Sequence, residues 1–372
     1  MHRGSLTFSR IMIRRYKCMI TRIVIILTVC GLISFLILFD TVGTGDETEP
    51  NLTPDKLKKL LNLLFFQDEA NAENTWRSLT IDKTCERYNL GIYKNSNENH
   101  SPFKHPPAPQ YSVLYIDKIH NLSYCPIYKA GSTTWLYNLC LLMNVSENDL
   151  TSSKEQISTV ARRVLPELEI PDAEQALKTT SKLLVVRHPF ERLLSAYRDK
   201  LENSVAGREH GTLHFYQKYG EKIVKKYRDK NFPTPRTDQF IQRRGVPGPA
   251  GIEPTWREFV EYLINTDLAN YGDDHWMPYY LFCTPCLVKY DIVAKVETLW
   301  RDQIFAIHKL GLQKKIKPRW RHSGGHSNAS KIYFNQLSRD TVRRLYEKFK
   351  LDFELFDYSH DEYYKYAMQE EF

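Results

Sequence analysis

The feature that most constrains this sequence is a short apolar strand that leads through a glycine- and hydroxyl-rich turn into a helix. Asn121 to Ile127 is rich in residues that favour strands, and Ser132 to Met143 has apolar residues at helical spacing. The intervening turn, Tyr128 to Ser132, therefore lies where a strand becomes a helix. Because the first N–H groups of a helix lack partners, such turns bind phosphate groups.

The same strand-to-helix pattern recurs along the chain. Lys182 to Val186 is a second candidate strand, and Pro189 suits the first turn of a helix that continues to about Leu201. A third unit follows from Asp291 to Leu310, and Tyr111 to Ile116 is a further β-rich run. Alternation of this kind predicts an α/β fold with a central parallel sheet flanked by helices.

The N-terminus carries an almost unbroken apolar run, Ile23 to Phe39, which is long enough to span a bilayer. Basic residues precede the run and acidic residues follow it, which favours a cytosolic N-terminus. We therefore expect a cytosolic tail (1–22), one transmembrane signal-anchor helix (23–39), a lumenal stem (40–109) and a globular domain (110–372). A cleaved signal peptide is the alternative, but no small-residue cleavage site ends the run.

Sequons and cysteines fit a lumenal location for most of the chain. We expect N-glycans at Asn121, Asn144 and Asn328; the sequons at Asn51 and Asn99 are each followed closely by proline.

The cysteines beyond the apolar run are Cys85, Cys125, Cys140, Cys283 and Cys286. In an oxidising compartment they favour structural disulfides over a zinc or redox site, with one thiol left over and the connectivity open.

The first turn offers groups that can hold a phosphate. It consists of Tyr128, Lys129, Ala130, Gly131, Ser132, Thr133 and Thr134. The glycine permits close backbone approach, the hydroxyls can bond phosphate oxygens, and Lys129 adds a movable positive charge. The Gly-Lys-Ser/Thr ending of nucleotide-hydrolysing loops is missing, which disfavours hydrolysis of ATP or GTP. Taken alone, the segment also fits an ordinary strand-to-helix turn.

The second strand leads into another candidate phosphate motif. Its residues are Arg187, His188, Pro189, Phe190, Glu191, Arg192, Leu193, Leu194 and Ser195. An arginine fork and a hydroxyl two helical turns later can hold a second phosphate. The alternative is a helix with surface salt bridges through Glu191 and Asp199.

Together the two motifs resemble those of Golgi carbohydrate sulfotransferases of the chondroitin 4-O-sulfotransferase and HNK-1 sulfotransferase family, sulfotransferase family 2. Further similarity lies in the segments 274–278, 283–291 and 353–358, so that the resemblance covers roughly Tyr111 to Tyr358. It implies a P-loop-like sulfotransferase fold, with residues 110–372 as the catalytic domain. It also implies that the first motif binds the 5′-phosphosulfate, and the second the 3′-phosphate, of 3′-phosphoadenosine 5′-phosphosulfate.

The first motif departs from the usual chondroitin pattern, and His188 stands where glutamate is usual. The resemblance therefore leaves the acceptor open. The expected activity is sulfuryl transfer to a glycan hydroxyl, most specifically the 4-O position of chondroitin- or dermatan-type N-acetylgalactosamine in proteoglycan biosynthesis. Alternatives are sulfation of an N-glycan or glucuronyl terminus, a glycan-binding protein without turnover, and a nucleotide phosphotransferase, which the missing lysine disfavours.

Two residues are expected to be catalytic. Lys129 would stabilise the leaving bridge oxygen, and His275, from its family-like His-Trp setting, would accept the proton of the acceptor hydroxyl. A packing role beside Trp276 is the alternative for His275, and His210 and His214 are rival bases. No metal is expected.

A net charge of +8 and an internal basic stretch indicate an anionic partner. The stretch comprises Lys222, Lys225, Lys226, Arg228, Arg236, Arg243 and Arg244. A lumenal location favours a glycosaminoglycan over nucleic acid as that partner, although a merely solvated face fits equally. We expect a single-pass type II protein of the Golgi membrane, with the oligomeric state open.

Overall fold

The computed structural model describes residues 54–95, 101–206, 212–231, 248, 250–319 and 328–368. The predicted tail and signal-anchor lie outside these residues. No helix in the described part of the chain has the length and apolar character that a bilayer span requires. The chain has two compact units, Met1–Leu61 and Asn62–Phe372, and both predicted phosphate motifs belong to the second.

A four-stranded sheet forms the centre of the second unit. Its strands are β1 (Tyr115–Asp117), β2 (Leu122–Cys125), β3 (Ser181–Val186) and β4 (Ile292–Lys295), arranged in the order β1-β2-β3-β4. β2, β3 and β4 run parallel, with Tyr124 opposite Leu183 and Val186 opposite Lys295. The three strands therefore end at the same edge of the sheet.

The sheet is mixed, which corrects the prediction of a wholly parallel one. β1 runs antiparallel to β2, with Tyr115 opposite Tyr124. Only a short turn, residues 118–121, joins these two strands. A parallel pair needs a crossover of a dozen or more residues, so this connection can only reverse the chain.

Helices follow and surround the strands. Before β4 they are α1 (Pro54–Arg87), α2 (Ser132–Leu142), α3 (Glu147–Ser152), α4 (Ile157–Val164), α5 (Ile170–Thr179), α6 (Pro189–Lys200), α7 (Thr212–Phe215), α8 (Glu221–Tyr227), α9 (Trp256–Asn265), α10 (Leu268–Tyr271) and α11 (Tyr279–Phe282). After β4 they are α12 (Leu299–Lys309), α13 (Ala329–Phe334), α14 (Arg339–Leu355) and α15 (Asp361–Tyr366). A π-helix, Tyr216–Gly220, joins α7 to α8, and short 3₁₀ turns occupy Gly91–Tyr93, Tyr111–Val113 and Val296–Thr298.

The predicted helices after β2 and β3 are confirmed as α2 and α6. Apolar residues at helical spacing in the sequence also predict a helix over 338–350, and α14 continues from there to Leu355. A short amphipathic segment, Pro54 to Phe66, is the start of the much longer α1. Because the period of a helix persists through polar stretches, sequence patterns locate the helix but not its end.

Both faces of the sheet are covered, as continuous apolar strands require. Alternate side chains of β3 point to opposite faces, with Leu183 and Val185 in one buried cluster and Leu184 and Val186 in another. A third cluster joins α6, α9 and α14 through residues such as Phe190, Phe259 and Phe349. The core thus fixes the starts of the helices that follow β2 and β3.

Part of the expected stem packs against the sheet. Arg77 on α1 donates to the carbonyl of Val293 in β4 and forms a buried ion pair with Asp302 at 2.5 Å. The side-chain amide of Asn74 donates a hydrogen bond to the Asp291 carbonyl and accepts one from the Val293 N–H. α1 thus satisfies polar groups along the outer edge of β4.

Two disulfides join segments of the domain that are far apart in sequence. Cys125, at the end of β2, is bonded to Cys283, and Cys85 on α1 is bonded to Cys286. Cys140 is buried and carries a free thiol. The Cys283-Thr-Pro-Cys286 segment therefore serves two separate structural disulfides.

Peptide mapping without reduction should recover Cys85 linked to Cys286 and Cys125 linked to Cys283, because these pairs are bonded in the fold. Cys140 should react with an alkylating reagent only after denaturation, since its thiol is buried. Mass spectrometry of the digested protein would detect both results. A peptide that links Cys140 to another of these cysteines would contradict this arrangement.

Candidate functional site

The turn after β2 has a backbone suited to an anion. Gly131 caps α2 in the left-handed conformation, with φ of 77°, and Lys129 also has a positive φ of 68°. The backbone N–H groups of Gly131, Ser132 and Thr133 have no acceptor among the described residues, whereas Thr134 N–H bonds the Gly131 carbonyl. Consecutive unpartnered N–H groups at a helix N-terminus form a cradle for negative charge.

The side chains of this first motif divide between the core and the cradle. Ala130, Ser132 and Thr134 are buried, whereas Tyr128, Lys129 and Thr133 are half-buried. Lys129 reaches Asp199 near the end of α6, with Nζ 3.2 Å from Oδ2. Burial would raise the pKa of Asp199, but the positive charges of Lys129 and Lys200 outweigh it and hold that pKa well below the ordinary value.

Arg187 places the second motif beside the first. It directly follows β3, whose carboxyl end lies next to that of β2, and its guanidinium donates to the Lys129 carbonyl at 3.3 Å. The hydroxyl of Tyr279 donates a hydrogen bond to the main-chain carbonyl of Arg187 at 2.7 Å. Glu191 lies one turn later and its carboxylate is 3.4 Å from the guanidinium. The structure thus brings the two predicted motifs into direct contact.

Arg192 of the second motif is buried. The residue is only 1% exposed, and its guanidinium donates to the main-chain carbonyls of Tyr128, Met277 and Asp274, at 3.0, 2.7 and 2.9 Å. It also lies over the ring of Tyr279. The guanidinium therefore ties together three segments around the site.

The apolar members of the second motif support it from within. Phe190, Leu193 and Leu194 are buried in the cluster around α6, and Pro189 is the first residue of that helix. Ser195 is half-buried on α6, two turns after Arg187. Sequence reasoning treated the motif as one binding unit, but a helix exposes only one of its faces, so most of these side chains pack instead.

His188 is held by the C-terminal part of the chain. Its N–H donates to Glu297 at 2.7 Å, its Nε2 donates to the carbonyl of Ser359 at 2.9 Å, and its ring stacks on Tyr363. Burial lowers the pKa of the imidazole, which is therefore neutral near pH 7. A glutamate at this position could not donate the bond to Ser359, so the histidine has its own structural partner here.

Glu191 joins Arg187 to two later segments. Its Oε1 accepts hydrogen bonds from the hydroxyls of Ser330 and Tyr363, while Oε2 faces Arg187. The carboxylate thereby limits the directions in which the Arg187 guanidinium can point. An orienting role for Glu191 was not predicted from the sequence.

His275 lies against the first motif. Its ring stacks on that of Tyr128 with 4.8 Å between centroids and meets Phe215 edge-on at 5.2 Å. Its Nδ1 donates to Oδ1 of Asp273 at 2.7 Å, which leaves Nε2 as the acceptor nitrogen of a neutral ring. Burial lowers the pKa of His275, the bond to Asp273 raises it, and the charge of Lys200 lowers it again. The net effect is a neutral imidazole at physiological pH.

Sequence reasoning missed the residues that orient His275. Asp273 accepts bonds from both the ring and the N–H of His275, and the Tyr219 hydroxyl donates to its other oxygen at 2.9 Å. Tyr219 belongs to the π-helix, a rare conformation that often marks functional sites. The Asp-Asp-His string was a usable signal for Asp273, but Tyr219 lies far away in sequence. Of the rival histidines, His214 is exposed and His210 lies outside the described residues.

The other predicted sites take ordinary surface positions. Asn121, Asn144 and Asn328 are all exposed, as N-glycan acceptors must be. Within the described segments, no cluster of His, Cys, Asp and Glu side chains has an arrangement that could hold a metal ion.

Arg192→Met should lower the free energy of unfolding by at least about 3 kcal/mol, because three buried carbonyls lose a charged donor. Arg187→Met is the matched control. Its guanidinium is partly exposed and makes one main-chain bond, so we expect a loss of about 1 kcal/mol or less. Urea unfolding of the two variants would measure the difference. Equal losses would show that Arg192 is not the buried tie described above.

Comparison with known proteins gives a consistent result. The family model described as "Sulfotransferase family" matches residues 112–359. Carbohydrate sulfotransferase 11 of Rattus norvegicus is 31% identical over 259 residues, which are 68% of this chain and 68% of the rat protein.

Other relatives match over a similar part of the chain. Carbohydrate sulfotransferase 9 of Homo sapiens is 30% identical over 67% of this chain and 53% of its own length. Carbohydrate sulfotransferase 10 of Xenopus laevis is 24% identical over 90% of this chain and 94% of its own length. No solved structure matches significantly. The family match includes both phosphate motifs and the His275 segment, and on this basis the chain belongs to the sulfotransferase family.

Proposed function

We propose that this protein transfers a sulfuryl group from 3′-phosphoadenosine 5′-phosphosulfate to a hydroxyl group of a glycan. The observation that carries the proposal is the meeting of three elements at one edge of the sheet. These are the N–H cradle at Gly131, the guanidinium of Arg187, and the imidazole of His275 oriented by Asp273. The relatives are carbohydrate sulfotransferases by name, which supports a sugar as the acceptor.

The residues present fit the donor's charged ends. The N–H groups of Gly131, Ser132 and Thr133 have no acceptor among the described residues, and Lys129 stands in the same turn, which suits a 5′-phosphosulfate. Arg187 emerges from the neighbouring strand and is held by Glu191, which suits the 3′-phosphate of the same nucleotide. Ser195, which lies on α6 two turns after Arg187, is a candidate second contact to that phosphate. Arg192 contributes by holding the two motifs together.

The protein's side chains divide the chemistry of transfer. The donor supplies an activated sulfuryl group whose bridge oxygen becomes negatively charged on cleavage. Lys129 offers its ammonium group to that oxygen, because preorganised positive charge is most effective where negative charge develops. His275 Nε2 accepts the proton of the attacking hydroxyl, and Asp273 holds the ring in the tautomer that leaves Nε2 basic.

The acceptor most compatible with the surface is an anionic polysaccharide, and the most specific proposal is chondroitin- or dermatan-type N-acetylgalactosamine at its 4-O position. The helical segment from Thr212 to Tyr227 runs away from the site. It carries four exposed lysines: Lys218, Lys222, Lys225 and Lys226. Lys218 lies 3.7 Å from Asp273, so the lysines extend outward from the oriented histidine. Clustered positive charge of this kind attracts polyanions from solution.

A lumenal, membrane-anchored location completes the proposal. Two disulfides and three exposed sequon asparagines fit an oxidising, glycosylating compartment. We propose a single-pass type II protein of the Golgi membrane, with residues 23–39 as the signal-anchor and 110–372 as the catalytic domain. Expression of full-length protein with an N-terminal epitope would test the topology, since only a cytosolic tag would be digested by protease added to intact Golgi vesicles.

Purified lumenal protein incubated with labelled donor should sulfate desulfated chondroitin faster than a neutral N-glycan, and disaccharide digestion should place the label on the 4-O position. Lys222→Ser/Lys225→Ser/Lys226→Ser should raise the KM for chondroitin about tenfold at low salt through weaker long-range attraction, with little change in kcat. The neutral N-glycan is the matched control, because its KM should not respond. Preference for that glycan in the wild-type protein would refute the anionic acceptor.

Asp273→Asn should lower kcat about 10-fold to 100-fold, because the amide no longer fixes the imidazole in its productive tautomer. Turnover in the wild-type protein should rise with pH through a value below 6.5, since burial lowers the pKa of His275. Asp273 raises that pKa, so its removal should shift the acidic limb to still lower pH. Initial rates from pH 4.5 to 8 would measure both effects. An unchanged profile in Asp273→Asn would exclude His275 as the base.

A further inference from the structure

Lys200 is a buried cation that neither phosphate motif includes. It is the last residue of α6, with a side chain only 10% exposed, and its Nζ lies 3.2 Å from Oδ2 of Asp199. The same carboxylate oxygen lies 3.2 Å from Nζ of Lys129. Two ammonium groups thus converge on one negative oxygen at the first motif. The ring of Phe215, which also contacts His275, lies under Lys200 at 5.2 Å.

Asp199 holds both ammonium groups beside the first motif. One carboxylate oxygen faces two ammonium groups, and a lysine this well buried loses most of its hydration. Lys200 therefore lies next to Lys129, at the place where the proposed function puts the phosphosulfate. Its contact with Phe215, which also meets the ring of His275, places it between the two residues proposed to act on the reacting group.

We propose that Lys200 is a second catalytic cation, which bonds a non-bridging oxygen of the sulfuryl group while Lys129 bonds the bridge oxygen. This assignment rests on the proposed sulfuryl transfer. Asp199 is then a positioning residue that holds the two ammonium groups next to each other at the first motif. Its position on α6 couples the second motif, at the start of that helix, to the reacting group at its end.

Every bond, proton and electron pair of the transfer that Lys200 would assist has a place in the proposed site. The acceptor oxygen bonds to sulfur as the bond from sulfur to the bridge oxygen breaks. The hydroxyl proton passes to His275 Nε2, and the electron pair of the broken bond remains on the bridge oxygen beside Lys129. Lys200 compensates the charge spread over the sulfuryl oxygens.

Lys200→Met should lower kcat by roughly 100-fold, the size expected when one preorganised charge is removed from a reacting group. Lys200→Arg keeps the charge and should retain more of the rate than Lys200→Met. The acidic limb of the pH profile should move to higher pH in Lys200→Met, because the like charge that depresses the pKa of His275 is removed. That shift would show that Lys200 lies in electrostatic contact with His275, whereas the loss of kcat tests its catalytic role.

Lys182→Met is the matched control. Lys182 is also a mostly buried lysine paired with a carboxylate, 3.0 Å from Asp291, but it lies at the opposite end of β3. Its substitution should leave kcat within about twofold, since charges that remote from the reacting atoms contribute little to transition-state stabilisation. Thermal unfolding of both variants would show whether either loses its fold.

Calorimetry separates this inference from the proposed function. Binding of 3′-phosphoadenosine 5′-phosphate, which has no sulfuryl group, should be nearly unchanged in Lys200→Met, whereas binding of the sulfated donor should weaken. An equal loss for both nucleotides would place Lys200 on a phosphate and overturn the assignment, as would a kcat within about threefold of wild type. A wild-type protein that binds neither nucleotide would instead refute the proposed function.

Discussion

The arrangement of the site depends on the buried guanidinium of Arg192. Three main-chain carbonyls accept its hydrogen bonds, one from the first motif at Tyr128 and two from the segment around His275, at Asp274 and Met277. Because Arg192 itself belongs to the second motif, a single side chain fixes the three parts of the site relative to one another. A guanidinium has five N–H donors in one rigid plane, so a single side chain can satisfy three carbonyls at once and fix their relative positions.

The parallel strands and the C-terminal segments supply the frame around that guanidinium. β2 and β3 end side by side, so their following turns meet without any long loop. Asp352 on α14 accepts the N–H groups of Tyr279 and Tyr280 at the start of α11, and Tyr279 in turn holds the Arg187 carbonyl. Complete burial raises the pKa of Asp352 to about 7, although the two N–H bonds oppose that rise. The second motif is therefore supported by Tyr279 and Asp352, which lie far from it in sequence.

The charged groups around the first motif divide into two neighbouring clusters. Lys129 and Lys200 share Asp199, whereas His275 and Tyr219 share Asp273. The first cluster places two ammonium groups beside the N–H cradle, and the second keeps a neutral imidazole whose Nδ1 is bonded to Asp273. Their closeness has a further effect, because the charge of Lys200 helps to depress the pKa of His275. Donor binding and proton acceptance are thus electrostatically linked in the proposed reaction.

The sequence by itself determined the local elements of this protein. Apolar runs predicted β2, β3 and the helices after them, and the glycine and hydroxyl residues of Tyr128 to Thr134 indicated an anion turn, because both depend on neighbours along the chain. Only the tertiary structure decided that β1 is antiparallel, which cysteines pair, and that Arg192 ties the site together while Asp273 and Lys200 line it. These features join residues far apart in sequence, and a single sequence contains no periodicity that reports such contacts.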